Sequence, residues 1–347
     1  MQFFGLLRLL LDLDTYGGVD PFGVFLLFLK KVADIIAPKL SIIFRWLIRL
    51  RSFLQCLRSA NVAATSKGAP SPDRENFRPI SITPILSKVY EKLVSHKLSC
   101  FCLKYGLLSA AQFAYWKGLG CTDALLTISH HLQKSSDAGM ESYIVQLDFG
   151  AALDRVSHSG LLFKLKSIGV GGSVLSICTE FLSDRRQRVV ADGAAREWIP
   201  MISGVPQGSV FCHLLFILYT SEMFDLVENR LFAYAYDSTL LAVVHKPEDR
   251  PGVASSLNRD VARIQEWGMI LNRNKTKALV RFRTVSAPHG DFVLSGVSIL
   301  ASPNLDVPGV KLDSKAHLRR PCALYCFPCL SENWYFEVGE THIFRHL

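Results

Sequence analysis

No apolar run in this chain reaches the roughly 20 residues that a membrane-spanning helix needs. The nearest approach, Phe22 to Leu29, is cut off by Lys30 and Lys31. The apolar start from Met1 to Leu11 is broken by Arg8 and lacks a small-residue cleavage site. Neither a membrane partner nor secretion is expected. A spaced cysteine framework is also missing. Nine cysteines, an odd number, are scattered along the chain. That pattern fits free thiols in a reducing, intracellular compartment, nucleus or cytoplasm, rather than a disulfide scaffold. Charge is sparse at 20%, against 49% hydrophobic residues, which excludes a disordered polyelectrolyte. Acidic residues are the minority, 30 against 39 Lys and Arg, so the net charge is +9. That balance favours a polyanionic partner, although solvated surface charge explains it equally well. No protein partner is evident.

Among the few acids, two are placed where chemistry can be built. Phe232-Ala233-Tyr234-Ala235-Tyr236-Asp237-Ser238-Thr239-Leu240 reads as strand, tight turn, strand, with a carboxylate at the tip. Two strands hold such a side chain rigidly, although Asp also serves ordinary turn chemistry. Far upstream, Tyr143 to Leu147 is a β-prone run ending in Asp148. Two carboxylates at neighbouring strand ends can ligate divalent cations through oxygen. Such ions clamp the attacking and leaving oxygens in phosphoryl transfer.

Helical spacing of apolar residues predicts helices over 24–36 and 40–57, the second made basic by Arg45, Arg49 and Arg51. Further helices are predicted over 84–104, 122–133, 159–168, 173–182, 214–226 and 261–271. Gly and Pro mark 67–73 as a loop. Arg185-Arg186-Gln187-Arg188 reads as a basic turn entering a strand, suited either to tracking phosphates or to a solvated edge. Cys322, Cys326, Cys329, His342 and His346 are too irregularly spaced for a zinc site. Cys212-His213 lacks a third orienting group for thiol catalysis.

Several ordered blocks carry a resemblance. They are Asn76-Phe77-Arg78-Pro79-Ile80-Ser81, Gln112-Phe113-Ala114-Tyr115, Leu147-Asp148-Phe149 with Asp154-Arg155-Val156, and Phe181-Leu182-Ser183-Asp184-Arg185. Ser203-Gly204-Val205-Pro206-Gln207-Gly208-Ser209, Phe232 to Thr239, and Leu271-Asn272 with Lys275-Thr276-Lys277 complete the series. In this order, over roughly residues 65 to 312, the chain resembles the reverse transcriptase of non-LTR (LINE-type) retrotransposons. The resemblance implies an α+β, right-hand polymerase fold with palm and fingers. Its palm would be an antiparallel sheet backed by helices, and its thumb truncated. It implies a helical N-terminal extension over 1–60, fingers over 61–142 and a palm with a fingers insertion over 143–285. A primer-grip-like hairpin would follow over 286–312, and a divergent tail over 313–347.

The implied activity is RNA-directed DNA polymerisation on an RNA template with a DNA primer, dNTP and two Mg²⁺ ions. Asp148 and Asp237 match metal-ligating and catalytic carboxylates, and Lys275 the lysine that protonates pyrophosphate. Lys67, Arg78, Phe149, Leu153, Gln207 and Gly208 match nucleotide-binding positions. Four departures stand out. Tyr236 replaces the first of two consecutive Asp residues, and a neutral phenol supplies neither its charge nor its coordination. Leu153 stands where an aromatic ring is usual, Trp116 where a basic residue is usual, and Phe211-Cys212-His213 where Leu-Gly-Pro is usual. The expectation is an inactive or impaired copy. The alternatives are a non-enzymatic nucleic-acid-binding relic and a pseudogene fragment.

Overall fold

Apolar residues at three- and four-residue spacing become helices, and β-branched runs become strands. The computed structural model describes residues 3–14, 19–66, 77–114, 118–191, 193–272, 275–281, 292–294, 296–299, 302–307, 310–313 and 318–319. Lys67, Trp116 and the Cys- and His-bearing tail from 321 lie outside the described residues. The first half of the chain holds α1 (Phe3–Leu11), α2 (Leu26–Lys31), α3 (Ala33–Arg49), β1 (Ser59–Ser66), β2 (Phe77–Ile82), α4 (Ile85–Tyr105) and α5 (Cys121–Asp137). Next come β3 (Glu141–Leu147), α6 (His158–Ser167), α7 (Gly172–Leu182), β4 (Arg186–Ala191), β5 (Ala194–Ala195) and β6 (Ile199–Pro200). Then follow α8 (Phe211–Asp225), β7 (Arg230–Tyr234), β8 (Asp237–Val244), α9 (Arg250–Glu266) and β9 (Lys277–Arg281). The last strands are β10 (Phe292–Leu294), β11 (Val297–Ile299), β12 (Asn304–Val307), β13 (Val310–Asp313) and β14 (Leu318–Arg319). The class is mixed α and β.

The chain divides into two units woven from alternating segments. The first comprises Met1–Gln112, Phe149–Val227 and Ala262–Leu271. Its sheet runs β2-β1-β4-β5, with β6 on the other side of β4. β1 pairs β2 antiparallel and β4 parallel. Helix α8 is buried nearly all round, as a helix apolar on every face must be. An aromatic chain crosses this core: Phe44 to Tyr90 at 5.1 Å, Tyr90 to Phe53 at 5.5 Å, Phe53 to Phe181 at 5.4 Å and Phe181 to Phe211 at 5.0 Å. These are spacings at which ring quadrupoles attract.

Two helices differ from the periodicity reading. The break expected between 36 and 40 is absent, since α3 runs through Pro38. A proline inside a helix costs about 3 kcal/mol. Burial of Ala33, Ala37, Ser41, Phe44 and Leu47 along one face offsets it. Helix α9 starts eleven residues earlier than expected, at Arg250, because Pro251 and Gly252 fall in its first turn, where a missing N–H costs nothing.

The second unit comprises Phe113–Asp148, Glu228–Val261 and Asn272–Leu347. Its main sheet has the order β7-β8-β3-β9, antiparallel throughout. β3 lies inside the sheet, which is why Ile144, Val145 and Leu147 are all buried. Helix α5 is held at its start by the Asp123 carboxylate, which accepts from the Gly120 N–H at 2.7 Å. Its Ile128 and Leu132 pack with Ile144, Phe232, Leu241 and Leu279 of the sheet and with Leu305, Val307 and Leu312. Among the described residues no helix is long and apolar enough to cross a membrane.

Candidate active site

The two carboxylates singled out in the sequence stand on adjacent strands of the second unit. β7 and β8 form a hairpin closed by the pair Tyr234 and Asp237, which leaves Ala235 and Tyr236 as a two-residue turn. Turns of this length match the twist of their strands only with positive φ, normally supplied by Gly. Here Ala235 supplies it, at φ +57°. Ala235→Gly is expected to raise stability by about 1 kcal/mol, because a Cβ is strained in that region. Urea unfolding of the two proteins measures it; an unchanged or lower midpoint would show that the turn is unstrained.

β3 pairs β8 with Leu147 opposite Ser238. That pair is the last of the ladder, so Asp148 directly follows the end of β3 and Asp237 directly precedes Ser238 on β8. Asp148 is half-buried and Asp237 exposed. The Asp148 backbone is clamped from the other side: its carbonyl accepts from the Asn272 N–H at 2.8 Å. Its own N–H points to Thr276 Oγ1 at 3.5 Å. Lys275 sits exposed in that same turn, its N–H donating to the Asn272 carbonyl at 3.2 Å. Asp148, Tyr236, Asp237 and Lys275 therefore belong to one unit.

Such a pair of strand-end carboxylates fits one divalent cation, which prefers charged oxygen ligands. The half-buried Tyr236 beside them adds no charge. Among the described residues no group of three or more His, Cys, Asp or Glu is placed to hold a metal. The charged oxygen donors at this turn are the two carboxylates of Asp148 and Asp237.

The nucleotide-type residues lie in the first unit. Arg78 is half-buried on β2, opposite Thr65. Gln207 and Gly208 lie against the same strand, where the Ser81 N–H donates to the Gln207 carbonyl at 2.6 Å. Gly208, at φ +120°, leaves no room for a side chain, since a Cβ there would meet the Ser81 carbonyl at 2.5 Å. Gly204, at φ +81°, would bring a Cβ to 2.6 Å from Asp154 Cα. Leu153 is buried and its carbonyl accepts from the Val205 N–H at 2.9 Å. Phe149 is buried, its backbone bridged to Leu271.

Glu91 and His158 escaped the sequence reading, and Arg185 reads there as part of a basic turn rather than as a core residue. Glu91, fully buried on α4, accepts from the N–H groups of Val210 and Phe211 at 2.7 and 3.2 Å and from Ser87 Oγ at 2.7 Å. It caps α8 directly after Gln207 and Gly208. Burial pushes its carboxyl pKa up, and the Arg185 guanidinium, Ser87 and the two amides oppose that shift. Arg185 is 1% exposed, its guanidinium 4.5 Å from the Phe181 ring centre and Nη1 donating to the Phe181 carbonyl. Burial lowers its pKa to about 10, against the pull of Glu91. Of the Arg cluster before β4, this arginine is therefore a core residue and not a phosphate contact. His158 donates from Nε2 to the Gly204 carbonyl at 2.8 Å; a carbonyl only accepts, which sets the tautomer. No local pattern marks Glu91 or His158, because their partners in the 204–211 segment are distant in sequence.

The bulk at Phe211-Cys212-His213 is absorbed. Phe211 joins the aromatic chain, and Cys212 is fully buried in α8. Burial depresses His213 to about 4 from an ordinary 6.5. A depressed folded pKa means stability present above pH 6.5 and lost as pH falls towards 4. The loss is about 3 kcal/mol. Glu91, shifted upward, acts in the opposite sense. His213→Leu should therefore flatten the acid side of the stability curve measured by urea unfolding. An unchanged slope would remove His213 from the account.

The family model described as reverse transcriptase (RNA-dependent DNA polymerase) matches residues 67–312. The probable RNA-directed DNA polymerase from transposon BS of Drosophila melanogaster is 26% identical over 287 residues, 80% of this chain and 32% of that protein. The RNA-directed DNA polymerase from mobile element jockey of the same organism is 26% identical over 237 residues, 66% of this chain and 25% of that protein. The chain spans about a third or less of the length of these curated relatives. Among solved structures, apo telomerase from Candida tropicalis is similar with a TM-score of 0.51 and 13% identity, over 82% of this chain and 53% of that one.

Proposed function

Because this chain belongs to the reverse transcriptase (RNA-dependent DNA polymerase) family, on a match across residues 67–312, we propose that it is the polymerase domain of a non-LTR retrotransposon protein, impaired at its metal site. The observation that supports this reading is the β3–β8 ladder, which ends at Leu147 and Ser238, next to Asp148 and Asp237, with Tyr236 in the adjoining turn. In this reading residues 143–285 form the palm with its fingers insertion, 61–142 the fingers and 286–312 the primer-grip hairpin. The bound partners are an RNA template, a DNA primer and a dNTP, and the compartment is the nucleus or cytoplasm.

The reaction attributed to the intact site is attack of the primer 3′-hydroxyl on the dNTP α-phosphate, with pyrophosphate leaving. Divalent ions, where a full ligand set holds them, stabilise the charge that develops on the phosphate oxygens. The chain's own part is binding and orientation. Arg78 offers a guanidinium fork to phosphate oxygens. Gln207, fixed through its carbonyl to β2, offers an amide to the sugar or base. Leu153 replaces the ring that would reject a ribose 2′-hydroxyl, which leaves sugar discrimination weak. Lys275 offers a proton to the leaving group.

A second reading, a nucleic-acid-binding relic without catalysis, is favoured by the same short donor set. Binding of a primer–template duplex, measured by fluorescence anisotropy at several salt concentrations, tests what the two readings share. Affinity must fall steeply as salt rises, because bound cations displace counterions from the phosphates. No binding would sink both. Mg²⁺-dependent extension of the bound primer then separates them.

A further inference from the structure

Helix α3 carries two apolar faces. Ala33, Ala37, Ser41, Phe44 and Leu47 are buried against the rest of the first unit. At about 100° of rotation per residue, the opposite side holds Ile35, Ile42, Ile43, Trp46 and, at the C-terminal cap, Leu50. Each of these five is 46–68% exposed. Phe25 and Phe28, at the start of α2, are exposed too. Apolar residues scattered singly over a surface are ordinary, whereas a run of them along one face is the mark of an interaction site.

Spacing and charge describe the occupant. Ile35, Lys39, Ile42, Trp46 and Arg49 recur at steps of four, three, four and three. That is the 3.5-residue repeat that keeps a seam turned towards one neighbouring helix. Ile43 and Leu50 widen the seam on one side. Between residues 22 and 51 the chain places Lys30, Lys31, Lys39, Arg45, Arg49 and Arg51 against a single acid, Asp34. The Arg49 guanidinium lies 5.9 Å from the Trp46 ring centre, so charge and apolar surface share the seam. Lys39 falls between Trp46 and Leu50 around the helix, at the centre of the stripe rather than at its rim.

These features disfavour three occupants. A second copy would set the excess of positive charge against itself. Nucleic acid would answer the cations through its phosphates but would leave Ile35, Ile42, Ile43 and Leu50 uncovered. A lipid surface would have to draw Lys39 towards its acyl region, where a cation is costly. A facing helix can cover the apolar seam and answer the cations together. We propose that the exposed face of α3 docks an acidic amphipathic helix of a protein partner. Its apolar side chains would lie on Ile35, Ile42, Trp46 and Leu50, with carboxylates opposite Lys39, Arg45 and Arg49. The inference is independent of the polymerase reading, since α3 precedes the residues matched to that family.

The test titrates the full chain with labelled synthetic peptides of about three heptads, followed by fluorescence anisotropy. One peptide has leucine at the core positions and glutamate at the flanking ones; in the other, lysine replaces glutamate. The glutamate peptide is expected to bind at least about tenfold more tightly than the lysine peptide, because like charges across an interface repel. Ile42→Ser with Trp46→Ser should abolish binding, and Lys39→Glu should weaken the glutamate peptide about tenfold, all with unchanged melting. The peptide comparison on the natural chain stands even where a variant fails to fold. Equal binding of both peptides, binding that survives Ile42→Ser with Trp46→Ser, or no binding would overturn the proposal. So would three other results. Cosedimentation with phosphatidylserine-containing vesicles, lost in the double variant, would assign the face to a membrane. Displacement of the peptide by an RNA oligonucleotide would assign it to nucleic acid. A dimer in sedimentation analysis that the double variant dissolves would assign it to a second copy.

Discussion

Tyr236→Asp is expected to raise Mg²⁺-dependent primer extension on an RNA template by about 10²–10⁴ over the natural chain. The ladder beneath the substitution is already in place. Leu147 opposes Ser238, and the hairpin closes on Tyr234 and Asp237. The change adds one carboxylate to a turn that holds its neighbours rigidly and leaves the strands alone. Charge stabilisation by catalytic ions amounts to several kcal/mol, and each 1.36 kcal/mol is tenfold in rate, which sets the range. Side-by-side extension assays of the two proteins check it, with matched primer–template affinity as the control. Equal activity in both would show that Tyr236 was misread as the defect. Silence in both, from folded protein that still binds primer–template, would mean that the damage is spread over Leu153, Trp116 or elsewhere. That outcome would favour the binding relic.

Glu91→Ala is expected to cost about 2–4 kcal/mol of stability, because it leaves the buried Val210 and Phe211 N–H groups without their acceptor, at about 1–3 kcal/mol for each unsatisfied group. The carboxylate does two things at once. It accepts from the Val210 and Phe211 N–H groups at the start of α8, and its charge acts on Arg185, which is 1% exposed. Removing it orphans both. Glu91→Gln keeps an acceptor for the amides and isolates the second effect, so it should still be costly. Replacing the pair together, Glu91→Gln with Arg185→Met, should recover most of the loss, since an apolar chain no longer needs a counter-ion. Urea unfolding of the four proteins closes the double-mutant cycle. Additive losses would show that the two side chains act independently, and the coupling would have to be withdrawn.

Much of the local structure was legible because it rests on local patterns. The hairpin around Asp237 follows from apolar residues on both sides of a two-residue turn, and β7 and β8 stand where that pattern puts them. Helices α4, α5, α6, α7 and α8 fall within four residues of their apolar periodicity at each end. Two helix starts were not legible. Apolar spacing left a gap over 37–39 and began the later helix only at 261, yet at Pro38 burial of one helix face outweighs the penalty, and Pro251 and Gly252 fall in a first turn that has no N–H to lose. The Arg run before β4 read as uniform surface, because sequence spacing does not distinguish a residue that turns into a core from one that faces water.

The candidate site divides in the same way. Asp148 and Asp237 were visible as carboxylates at predicted strand ends, and Tyr236 as a departure only through the resemblance to the family. The chemistry of a donor set depends on which groups are present, and that is written in the chain itself. Glu91, Arg185 and His158 became visible only with the tertiary structure. Their partners lie between 46 and 120 residues away along the chain for the contacts of His158 and Glu91 with the 204–211 segment. The second apolar stripe of α3 likewise reads as core in the sequence, and only the fold leaves it in solvent. Sequence alone determined which donors and charges this protein can use. The fold decided which of them are buried against each other and which are left exposed. Desolvation and hydrogen-bond geometry depend on neighbours in space, not on neighbours along the chain.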